Sequence, residues 1–221
     1  IRIEGVSHRI GGASILEGID LTLPKGKVTA LIGPNGAGKS TLLSLVGRLA
    51  PLQSGRVEVD GADVARTPTR DLARRMAILS QSNPTGSRLR VRELVAFGRW
   101  PHHQGRPGPQ DAALVAEALE TLDLTPLADR FLEELSGGQR QRAFIAMCFA
   151  QGADWLLLDE PLAALDMAHA RAVMARLSAL RDAGRSVVVV LHDINYAAVW
   201  ADHVVAMKDG RIAAEGPPAG V

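Results

Sequence analysis

Cysteine is nearly missing from this chain of 221 residues: Cys148 stands alone, so neither an internal disulfide nor a cysteine-rich zinc site can form. A reducing compartment fits that count. Lysine is scarce as well, with only four among 25 basic residues, and Lys39 is therefore conspicuous. No stretch reaches the ~18 consecutive apolar residues of a membrane-spanning helix. An excess of charge is absent too, since 25 basic residues face 24 acidic ones. Proteins that neutralise nucleic-acid phosphates carry a basic surplus or stripe. The nearest approach here is Arg70, Arg74 and Arg75, whose helical spacing suits a solvated face, so no nucleic-acid partner is expected. The chain opens Ile1-Arg2-Ile3 without Met, the start expected of a trimmed chain.

What is present is the composition of a globular protein, 47% hydrophobic and 22% charged, long enough for a core with an inserted subdomain. Ile15, Ile19, Leu21 and Leu23 alternate as in a strand. Apolar runs at Val28–Ile32, Trp155–Leu158 and Ser186–Leu191 mark strands covered on both faces. Short strands are expected at 1–4, 56–59, 77–80, 203–207 and 211–214. Helical spacing predicts helices after residue 38, over 71–76, 91–97 and 110–122, and between the strands at 155 and 186. Polar loops are expected over 82–90 and 99–109. Buried strands alternating with helices, interrupted by a helical stretch, imply a parallel α/β core with an α insert.

Gly33-Pro34-Asn35-Gly36-Ala37-Gly38-Lys39-Ser40-Thr41 fits G-x-x-x-x-G-K-[ST], between a strand and a helix as the motif requires. Glycines let backbone N–H groups wrap phosphate oxygens. The helix start aims its positive end at the same anion. Lys39 is placed for the β- and γ-phosphates and Ser40 for Mg²⁺, so this is a nucleotide site. The apolar strand Trp155–Leu158 ends in Asp159-Glu160. Asp159 is placed to hold Mg²⁺ at the strand's carboxyl end, and Glu160 can accept a proton from an attacking water.

Leu135-Ser136-Gly137-Gly138-Gln139-Arg140-Gln141-Arg142 offers a second helix start rich in backbone donors, with Ser136 as N-cap. With the two motifs above it resembles the signature of ATP-binding cassette (ABC) ATPases, and the resemblance spans essentially the whole chain. It implies a P-loop NTPase (RecA-like) parallel-sheet core with an N-terminal antiparallel β subdomain. The core and β subdomain would take residues 1–81 and 151–221, with the inserted α-helical signature subdomain at 82–150. The resemblance also implies roles: Gln81 as the glutamine that senses Mg²⁺ and the membrane partner, Asp166 at the subunit contact, and His192 as the histidine on the γ-phosphate. ATP and Mg²⁺ are the implied cofactors. A head-to-tail homodimer would place each ATP between the loop 33–41 of one chain and Ser136, Gly137, Gly138 and Gln139 of the other. Two positions depart from the family pattern. His8 stands where an aromatic side chain usually stacks on adenine, and Leu162 where many members carry Thr.

Residues 91–102, 127–130 and 190–195 resemble importer ATPases for iron–siderophore complexes, haem and cobalamin, and 166–169 resemble the siderophore branch. That implies a peripheral subunit on the cytoplasmic face of the bacterial inner membrane. It would dock on a separate permease, served by an extracytoplasmic substrate-binding protein. His102-His103 lacks convergent ligands and is expected in a solvated or permease-facing loop. A soluble ABC ATPase acting on DNA, ribosomes or iron–sulfur assembly, and a small-molecule P-loop kinase, are the alternatives. The kinase would leave Ser136–Gln139 without a purpose.

Overall fold

The computed structural model describes residues 1–81 and 88–221. Two sheets are built in succession. Strands β1 (Arg2–Ile10), β2 (Ala13–Thr22), β4 (Arg56–Val59) and β5 (Ala62–Asp63) form an antiparallel sheet in the order β2-β1-β4-β5. The second sheet has six strands: β3 (Val28–Ile32), β6 (Met76–Leu79), β7 (Trp155–Leu158), β8 (Ser186–Val190), β9 (His203–Lys208) and β10 (Arg211–Gly216). Their order is β10-β9-β3-β8-β7-β6, and every pairing but β10 with β9 is parallel. Helices α1 (Lys39–Val46), α2 (Thr69–Arg75), α7 (Met167–Asp182) and α8 (Ile194–Trp200) join the strands. Between β6 and β7 the described elements are helical: α3 (Val91–Phe97), α4 (Trp100–His103), α5 (Pro109–Thr121) and α6 (Gly137–Gln151), with two short 3₁₀ turns.

The six-stranded sheet is hydrophobic on both faces because successive side chains of a strand point opposite ways. In β8, Val187 and Val189 face the core under the helical insert, while Val188 and Val190 face the core shared with α1 and the antiparallel sheet. Leu156 and Leu158 divide from Trp155 and Leu157 in the same way. β-Branched residues suit this two-sided burial, and each such side chain stabilises the fold by about 1.5–3 kcal/mol. Helix starts are fixed by side chains. Ser136 and Gln139 form a reciprocal capping box on α6, and Asp166 and Asp193 cap α7 and α8.

Two local expectations are corrected. The first strand runs to Ile10 rather than stopping at residue 4, extended by its long antiparallel pairing with β2. The stretch 99–109 is not wholly loop: Trp100–His103 forms a helical turn with Pro at its start, where a missing N–H costs nothing. Arg70 and Arg74 are exposed, as expected of a solvated face, and Arg74 Nε also donates to the Pro101 carbonyl at 3.0 Å. Of the polar loop expected over 82–90, residues 82–87 lie outside the described residues.

Candidate functional site

Four adjacent parallel strands deliver the chemistry at their carboxyl ends, the edge where open α/β sheets bind ligands. β3 ends in the glycine loop, β8 leads to His192, β7 to Asp159-Glu160 and β6 to Gln81.

The loop is shaped by close backbone approach. Gly33 has φ 140° and a Cβ there would lie 2.1 Å from the Met207 carbonyl oxygen. Gly38 has φ 97° and a Cβ would lie 2.6 Å from Leu16 Cδ2. Other residues fit neither position. Lys39, 5% exposed, donates from Nζ to the carbonyls of Gly33 at 2.8 Å and Pro34 at 3.0 Å. Its charge is held inside the ring of backbone that precedes it. Pro34, Asn35 and Gly36 are exposed on that ring, while Ala37 is buried beneath it.

Ser40 Oγ donates to Asp159 Oδ1 at 3.0 Å, so a hydroxyl and a carboxylate from distant segments converge. Burial pushes the Asp159 carboxyl above the usual carboxylate range, and the Ser40 hydroxyl offsets only part of that. A buried carboxylate so destabilised is a natural seat for a hard cation with oxygen ligands. Ser40, Asp159 and Gln81 therefore fit Mg²⁺, which binds through few protein oxygens plus phosphate.

Glu160 occupies the left-handed region at φ 50°, an unfavourable conformation for a non-glycine residue that tends to persist at functional sites. Both its oxygens are engaged. Oε1 lies 2.7 Å from His192 Nε2 and Oε2 accepts from Gln81 Nε2 at 3.1 Å. The fold thus brings Gln81, Glu160 and His192 into direct contact. Beyond them a largely apolar cleft of about 710 Å³ runs between the start of α7 and α8, past Leu165, Met167, Tyr196 and Trp200.

The helix start at Ser136, the second candidate for an anion, faces elsewhere. Ser136 accepts from Gln139 N–H at 3.3 Å while Gln139 Oε1 accepts from Ser136 N–H at 3.0 Å. Ser136 and Gly137 are exposed, and nothing surrounds a Cβ placed on Gly137. Gly138 is more closely packed: a Cβ would lie 3.0 Å from the Ala164 carbonyl oxygen in the turn before Asp166. Asp166 is exposed, and its carboxylate accepts from the His169 backbone N–H at 2.9 Å and lies 2.8 Å from His169 Nδ1. Those contacts hold it below the usual carboxylate range.

One family model, "ABC transporter", matches residues 16–163. This chain belongs to the ABC transporter family. It is 46% identical to the petrobactin import ATP-binding protein YclP of Bacillus subtilis (strain 168), over 99% of this chain and 87% of that protein. It is 45% identical to the hemin import ATP-binding protein HmuV of Nocardia farcinica (strain IFM 10152), over 98% and 76%. The fold superposes on the dimeric structure of the ABC cassette MJ0796 bound to ADP and Pi, with TM-score 0.88, 26% identity and 98% of each chain covered. The chain is therefore an ABC-type ATPase, built on the RecA-like α/β core with its helical insert.

Two expectations within this ABC cassette meet a different placement. His8 does not present its ring to a ligand: it is 6% exposed, opposite Leu16, with Nδ1 buried and unpartnered. Register shifts along β1 put Ile3, Val6 and His8 successively on the covered face, which simple alternation from Ile3 does not predict. The large hydrophobic side chain displayed at that hairpin is Ile10, 56% exposed. His102 is not in a solvated loop: its Nε2 lies 2.8 Å from the Gln151 carbonyl oxygen, and burial lowers its pKa. Sequence reading gave Arg99 and Gln151 no role of their own, because their partners are backbone carbonyls that no motif records and, for Arg99, also Asp111 twelve residues on.

Proposed function

We propose that this ABC ATPase energises a bacterial importer of ferric siderophores from the cytoplasmic face of the inner membrane. It would work as an ATP-dependent homodimer docked on a separate permease, with an extracytoplasmic binding protein delivering cargo. The observation that carries the catalytic reading is Glu160, bracketed by Gln81 and His192 beside the Lys39 loop. The names of relatives such as the petrobactin importer subunit support the cargo class.

In this reading the backbone of Gly33–Thr41 cradles the triphosphate, and Lys39 leaves the Gly33 and Pro34 carbonyls for the β- and γ-phosphates. Ser40, Gln81 and Asp159 hold Mg²⁺, whose chemistry is to neutralise charge on the phosphate oxygens. Glu160 orients and deprotonates the attacking water, which requires one of its present partners to give way. His192 then turns from Glu160 towards the γ-phosphate. Lys39 and His192 stabilise the charge on the transferred phosphoryl group. Ser136, Gly137, Gly138 and Gln139 of the partner close over the same nucleotide, with Asp166 at the contact between chains. Closure by ATP and reopening on hydrolysis make the dimer a ligand-biased two-state element.

A second reading, haem import, is favoured by the hemin import relative at 45% identity, and cobalamin is the third cargo considered. The deciding experiment is uptake of isotopically labelled cargo in source cells expressing wild-type or Lys39→Ala protein at equal levels. Several ferric siderophores, haem and cobalamin are each offered in turn. Loss of uptake for one siderophore supports the reading. Loss for haem or cobalamin alone moves the cargo there, and no loss for any of them removes the transport claim.

A further inference from the structure

The helical insert leaves the sheet after β6 and returns through Gly152–Asp154 into β7. A third tie between insert and core is made by side chains at the far end of α6. The last carbonyls of a helix have no partners within it, and here Arg99, between α3 and α4, and His102 of α4 meet them. Arg99, 6% exposed, donates from Nη1 to the carbonyls of Ala150 at 3.0 Å and Gln151 at 2.9 Å, and from Nε to Asp111 Oδ1 at 2.9 Å. His102 adds its contact to the Gln151 carbonyl. Gly98 is pressed so closely on this helix that a Cβ would lie 2.2 Å from the Met147 carbonyl oxygen.

Gln151 itself reaches the other way. Its Nε2 donates to the carbonyls of Ala73 at 2.5 Å and Met76 at 3.0 Å, in α2 and at the first residue of β6. Arg74 of the same α2 returns the grip, donating to the carbonyls of Pro101 and His102. The end of α6 therefore knots the insert to the strand that leads to Gln81, while the start of α6 carries Ser136.

We infer that Gln151 is a positioning residue: its amide fixes the signature helix to β6, so that Ser136 and Gln81 hold one relation and a tilt of the insert is passed to Gln81. The roles of Ser136 and Gln81 rest on the proposed function, whereas the joint itself does not involve ATP. The chemistry makes a specific demand. Both amide hydrogens point at carbonyl oxygens, so the side chain must donate. A carboxylate of the same shape faces two acceptors and is repelled, while a longer ammonium group can still serve both.

The test uses the full chain carrying spin labels at Glu120→Cys on α5 and Lys208→Cys on β9, both exposed positions. Cys148 does not compete for label, since it is buried and its thiol is pushed up to about 12. The distance distribution from double electron–electron resonance is compared for Gln151→Glu, Gln151→Lys and the parent. Gln151→Met removes the donor without adding charge, should the carboxylate prevent folding. The expected result is a broadened distribution for Gln151→Glu and Gln151→Met and a parent-like one for Gln151→Lys. Alongside it, kcat falls roughly tenfold in the broadened variants, with ATP affinity unchanged at matched thermal midpoints. An unchanged width in Gln151→Glu and Gln151→Met, or equal broadening in Gln151→Lys, overturns the inference. If the parent hydrolyses no ATP, the proposed function fails, and the distance distributions still decide the joint.

Discussion

The two elements of this ABC cassette proposed to bind anions are finished to different degrees. At the strand ends Lys39 and Asp159 are buried, and each has its partner within the chain: backbone carbonyls for Lys39, Ser40 for Asp159. At the start of α6, Ser136 and Gly137 are exposed, and the helix start faces outward with only its own capping box. A parallel sheet covered on both faces can hold a phosphate site ready by itself, because burial and crossing strands fix every group. A helix start on the insert supplies donors and a dipole but no enclosure. It needs a ligand brought against it, and in the proposed dimer a second chain would do that.

Substitutions should separate these two elements. The largest effect falls on the sheet side. Glu160→Gln should lower kcat by about 10²–10⁴-fold while ATP binding persists, as read by phosphate release and by equilibrium titration. An unchanged kcat would move the base elsewhere. Next comes Lys39→Ala, which removes a buried charge from the phosphate loop. ATP affinity should fall by roughly ten- to a hundredfold, measured by calorimetric titration on the folded variant. On the helix side the effects are smaller and of another kind. Ser136→Ala removes a cap worth about 1 kcal/mol. It should leave ATP affinity of the single chain intact and lower turnover only at concentrations where chains meet, which a concentration series of ATPase rates resolves.

The smallest effect concerns Asp166. The backbone N–H and imidazole of His169 hold its carboxyl below the usual range, so its folded value is depressed. Its contribution to α7 is present above the ordinary carboxylate range and is lost as pH falls through that depressed value. Thermal unfolding should therefore show Asp166→Ala less stable than wild type at neutral pH. The difference should vanish in strongly acid solution, and a difference independent of pH would contradict the cap.

What was legible in the sequence was what local chemistry dictates. The glycine loop, the apolar strand ending in Asp159-Glu160 and the serine-capped helix at 136 each need particular residue types at short spacing, and spacing survives in a sequence. What was not legible depended on tertiary register or on the backbone of another segment. His8 was placed at the adenine by the family resemblance, and register shifts along β1 put it on the covered face. Arg99 and Gln151 serve carbonyls of Ala150, Ala73 and Met76, and a carbonyl is the same in every residue. The mutual contact of Gln81, Glu160 and His192 lies between, since Glu160 was marked by its strand end and the other two by the family resemblance, while their pairing required the strand order β8-β7-β6.

The central claim is that one chain holds half of each catalytic site and ATP brings the halves together. Light scattering of Glu160→Gln at graded ATP and Mg²⁺ tests it most directly. The account predicts a monomer without nucleotide and a dimer with it, and no such shift when Lys39→Ala is added. A Glu160→Gln chain that binds ATP to saturation and remains monomeric would contradict it.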